Sequence, residues 1–149
     1  QAITLFLVVQ FSALAGAFIL AKPTDRLGPK KVLTGTITLW ICLAAAVFLV
    51  RSQAVFFALA VVAGFGLGAT QAASRALMAS LVPDGKEAEM FGFYAFCGKS
   101  SSIMGPAIFG VIAVSTGGNQ RLSVAALGVL MLIGVLLLQR VNDPKGLAA

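Results

Sequence analysis

Apolar residues fall into five long runs, roughly 2–21, 32–50, 54–82, 88–116 and 122–139, separated by short polar breaks. A helix needs about 20 mostly apolar residues to cross a bilayer, and each run meets or approaches that length. The breaks carry residues that stop helices. Lys22–Lys31 contains two prolines, and Pro83–Glu87 joins Pro to Gly. Arg51–Gln53 and Gly117–Arg121 read as tight turns. Links this short make successive helices antiparallel neighbours. The pattern predicts an all-α membrane protein of five transmembrane helices.

Charge orients the helices. Lys22, Arg26, Lys30, Lys31, Lys86, Arg140 and Lys145 fall on one side, against Arg51 and Arg121 on the other. Basic residues gather on the cytoplasmic side, which predicts a cytoplasmic C-terminus and an external N-terminus. The expected location is the cell membrane, as a multi-pass protein, or the inner membrane of a bacterium. The opening QAITLFLVV lacks both an initiator Met and a basic leader, so the chain is expected to be the C-terminal part of a larger protein.

Composition supports lipid as the main solvent. The chain is 59% hydrophobic and 11% charged, whereas soluble domains are about 25% charged. The net charge of +6 is spread between apolar runs, without the basic and aromatic patch of a nucleic-acid binder. Cys42 and Cys97 sit inside apolar runs and read as small packing residues. There is no histidine, which removes imidazole catalysis and most zinc sites. No paired carboxylates inside the apolar runs, no Walker sequence and no metal cluster appear, so neither an enzyme nor a cofactor or metal site is expected.

Four constellations stand out. Asp25-Arg26 lies in the tight basic break. Beyond topology, Asp25 could meet the electropositive end of a helix and Arg26 an acid. Gln71, Ser74, Arg75 and Met78 share one helical face, and Arg75 lies near or inside the hydrocarbon boundary. It either snorkels or is a paired gating arginine. Lys99 lies deeper, among small polar residues, and either reaches the surface or meets an anionic group. Glu87 and Glu89 complement the dipole at a helix start, and Glu89 could also meet Arg26 or Arg75. Gln10, with Gln71 and Lys99, is a candidate for a solute path. Gly64 and Gly68 form GxxxG, a close-packing signal in lipid. Gly105-Pro106 is expected to bend or weaken its helix. Bundle packing alone would account for these glycines.

With those residues in view, the sequence resembles the major facilitator superfamily. DRLGPKK (25–31) is similar to the superfamily's signature between its second and third helices, repeated in weaker form between the eighth and ninth. The five runs would then be the last five helices of a twelve-helix fold. Ala21 and Pro29 depart from the signature, which usually has Gly and a basic residue there. The segment 68–110 resembles the vacuole-effluxer-like branch more specifically, through Gln71, Ser74, Arg75, Pro83, Gly85, Glu87, Glu89, Phe91, Gly92, Tyr94, Gly105 and Pro106.

The resemblance implies a secondary active transporter working by alternating access on a small polar solute. For that branch it implies amino acids and efflux. Asp25, Arg26, Arg75 and Glu89 would form a latch, with Asp25 either pairing with Arg75 or capping the helix that begins near Gly85. Expected partners are the N-terminal transporter helices, membrane lipid and the solute, with no nucleic acid. The alternative is a non-transporting membrane scaffold or assembly subunit.

Overall fold

In the computed structural model of the chain the described residues are 2–46, 50 and 52–142. They form α1 (Ala2–Ile19), α2 (Ala21–Leu27), α3 (Pro29–Ala46), α4 (Gln53–Leu81), α5 (Glu87–Ser115) and α6 (Gln120–Gln139), with no strand among them. Among the described residues four stretches are long and apolar enough to cross a membrane: Ile3–Leu27, Gln53–Leu81, Glu87–Ser115 and Gln120–Gln139. The run at 32–50 corresponds to α3. Positions 47–49, Arg51 and Lys145 lie outside the described residues.

The basic break is not the loop that its prolines predict. Residues Ala21–Leu27 are helical and continue almost directly from α1. Pro23 falls in the first turn of α2, where backbone N–H groups have no helical partner to lose. Gly28, with φ of 89°, then turns the chain in a conformation that favours glycine. Pro29 starts α3 at the position proline suits best.

The other ends follow local rules. Val82 is extended ahead of Pro83 and stops α4. At the end of α5, Gly118 N–H donates to Ala113 O (2.8 Å) and Gly117 N–H to Val114 O (3.2 Å). These are the paired bonds of a Schellman cap. Asn119 then caps α6 by accepting from Arg121 N–H at 3.2 Å.

Two helix contacts organise the bundle. α1 and α4 run parallel, with Val9 opposite Gly64 and Ala13 opposite Gly68. α3 lies between α4 and α6 and packs on both. Near the basic end, Val32, Leu33, Ala73 and Leu77 form a buried cluster with Leu20, Ile37 and Leu138 against it. α5 packs mainly along α6, barely touches α4 and has no buried residue.

Lys30 ties the start of α3 to the end of α6. Its Nζ donates to the carbonyls of Gln139 (3.0 Å) and Val141 (2.7 Å), and Gln139 Nε2 donates to Thr34 Oγ1 at 3.2 Å. A lysine is well suited to a helix C-terminus, where carbonyls lack helical donors and the dipole is negative. Lys30→Met keeps the stem and removes the donors, so it should cost about 1–2 kcal/mol. Thermal melting of the purified protein checks this, and an unchanged midpoint would contradict it.

Candidate functional site

The α1–α4 interface is built on absent side chains. A Cβ at Gly64 would stand 2.5 Å from the Val9 carbonyl oxygen. At Gly68 it would fall on the Ala13 carbonyl, and at Gly16 on that of Phe65. Ser12 Oγ donates to Val61 O at 2.5 Å across the same seam. In lipid, where apolar side chains gain little by leaving the solvent, such backbone approach is what holds helices together. The GxxxG reading identified Gly64 and Gly68. It missed Gly16, the partner on α1, because a single glycine in an apolar run has no spacing signal.

Beside this seam lies a groove of about 360 Å³, lined by Gln10, Ala13, Leu14, Ala17, Leu67, Gly68, Gln71, Ala72 and Arg75. Three of the residues picked from the sequence therefore meet in one recess. Gln71 and Arg75 stand one turn apart on α4, and Gln10 faces them from α1. Among the described residues no acid lines the groove. Arg75 lies about 9 Å from the end of α4 at ~1.5 Å per residue. The groove can donate guanidinium and carboxamide N–H groups to an anionic oxygen.

Ser74 Oγ and Tyr94 Oη lie 2.8 Å apart, linking α4 to α5. The Tyr94 ring meets that of Phe91 edge-on, with centroids 6.3 Å apart. With so little other contact between α4 and α5, this bond is their main link away from the turn. Tyr94→Phe and Ser74→Ala should each cost about 1 kcal/mol. The double variant should cost no more than either alone. A double-mutant cycle of unfolding measurements tests this, and additive losses would contradict it.

Lys99 is not in the groove. It is exposed on α5, roughly 18 Å from the helix start at ~1.5 Å per residue. Gly98 and Gly105 beside it have nothing within 4 Å of a built Cβ. α5 is a single helix through Pro106, although that residue supplies no N–H to the turn before it. Cys42 and Cys97 are free and exposed, rather than sealed in helix contacts. Among the described residues no cluster of His, Cys, Asp or Glu could hold a metal.

The expected latch is not closed in this conformer. Asp25, Arg26 and Glu89 are exposed and have no partner among the described residues. α2 packs on α1, α3 and α4 and does not reach α5. The first residue before α5 is Lys86, with no side-chain cap. Instead, Glu87 Oε1 accepts from Gly85 N–H at 3.1 Å.

Comparison with known proteins agrees with this architecture. The family model described as "Vacuole effluxer Atg22 like" matches residues 1–149. An uncharacterised MFS-type transporter of Bacillus subtilis, YxiO, is 32% identical over 136 residues, covering 91% of this chain and 32% of the relative. Autophagy-related protein 22 of Candida glabrata is 28% identical over 159 residues, covering 97% of this chain and 28% of the relative. The protein of that name from Cryptococcus neoformans is 38% identical over 96 residues, covering 64% of this chain and 17% of the relative. The chain thus spans about a third or less of the length of these curated relatives. No solved structure matches it.

Proposed function

The chain belongs to the vacuole effluxer Atg22-like family of major facilitator proteins, and from that premise we propose that it supplies part of a secondary transporter exporting amino acids by alternating access. The single observation that carries this reading is the groove in which Gln10, Gln71 and Arg75 converge without an acid. A carboxylate is the solute group that suits such a set of donors, and the Arg75 guanidinium can hold it through two parallel bonds.

The α1–α4 pair, locked backbone to backbone, would move as one body. α5, attached to α4 chiefly through Ser74 and Tyr94, would shift against it. In the opposite state Asp25 would pair with Arg75 or cap the start of α5, and Glu89 would meet Arg26 or Arg75, together latching it. Gly105-Pro106 would give α5 its compliance, and Lys99 would meet solute or an acid of the preceding transporter helices. The basic residues at one end support a cytoplasmic C-terminus and a place in the cell membrane.

The test is transport by the complete protein in liposomes loaded with unlabelled amino acids, read as counterflow of labelled ones. Saturable exchange is expected. A correctly folded protein that exchanges no amino acid would remove this reading and favour a scaffold.

A further inference from the structure

A second recess lies away from the proposed solute path. α3 packs on both α4 and α6, whereas the backbones of α4 and α6 stay apart. The gap between them is a nearly apolar groove in two connected parts, of about 530 Å³ and 330 Å³, sharing Trp40 and Met131. The larger part is lined by Leu33, Leu67 and Leu138 among others, and the one hydroxyl on it, Thr70, is already bonded to the Gly66 carbonyl. A Cβ built on Gly134, also in the lining, meets nothing within 4 Å. Apart from the Trp40 indole N–H, such walls offer a polar solute almost no hydrogen bond.

The end of this groove is basic. Lys30 reaches the carbonyls of Gln139 and Val141 there, which sets Lys31 and Arg140 at the same end, both exposed. Neither α3 nor α6 contains an acidic residue. An apolar slot between helices, opening beside two exposed cations, is complementary to a lipid with a negative headgroup. We propose that this groove holds an acyl chain of an anionic phospholipid whose phosphate meets Lys31 and Arg140.

The experiment melts the complete protein in detergent with added phosphatidylglycerol or phosphatidylcholine. Phosphatidylglycerol is expected to raise the midpoint by several degrees more than phosphatidylcholine. The variant carrying Lys31→Gln and Arg140→Gln should keep its phosphatidylcholine response and lose the preference. Gly134→Phe fills the groove and should lose the phosphatidylglycerol increment. Equal effects of the two lipids on the unsubstituted protein would overturn the proposal. So would a preference that survives the Lys31 and Arg140 changes, or a full increment in Gly134→Phe. If another part of the protein fills the groove, Gly134→Phe lowers the lipid-free midpoint and the lipids act alike, which also overturns it.

Discussion

Gly68→Leu is expected to break the α1–α4 interface and destabilise the protein by at least about 3 kcal/mol, the upper range for overpacking a close contact. The obstacle is backbone. A first side-chain carbon at Gly68 would already fall on the Ala13 carbonyl, which no rotamer change can relieve. The helices would have to separate along the seam and lose the Ser12–Val61 bond as well. Gly35 provides the contrast, since nothing lies within 4 Å of its built Cβ. Gly35→Ala should be neutral or stabilise by up to about 1 kcal/mol through helix propensity. Unfolding midpoints of the two variants check the pair. Equal midpoints would mean that the seam does not hold the bundle.

Arg75→Gln should lower transport efficiency on the order of 100-fold with little change in stability. The guanidinium is the one charge in the α1–α4 groove and has no partner among the described residues. Losing a charged hydrogen-bond partner of a bound anion costs about 2–5 kcal/mol, and each 1.4 kcal/mol is about tenfold. Arg75→Lys keeps the charge without the planar fork and should recover only part of the activity. Proteoliposome counterflow checks both. Full activity in Arg75→Gln would reduce the residue to a snorkelling cation.

The helical, membrane-spanning fold was legible because long apolar runs and Pro/Gly breaks report the demand for spanning length directly. The α1–α4 groove was partly legible. Gln71 and Arg75 share a face by spacing alone. Gln10 was only a polar residue in an apolar run until the parallel packing of α1 and α4 brought it opposite them. That packing register depends on Gly16 meeting Phe65, a contact between distant segments that no local pattern encodes. The role of Lys30 was hidden for the same reason, since its acceptors are on α6 while its sequence neighbours suggest only topology. The basic break was misread because prolines at 23 and 29 usually stop helices. Here both occupy first-turn positions, where they cost no hydrogen bond.

Thiol labelling shows most directly whether the α1–α4 groove faces a watery solute path or lipid. Cys42 and Cys97 are free and exposed, so both are first replaced by Ala in the complete protein, and Gln71→Cys is then introduced. Reaction with a membrane-impermeant thiosulfonate is expected, slowed by an amino acid that the protein transports. A thiol inert to that reagent yet labelled by a lipid-soluble maleimide, with no protection by solute, would contradict it.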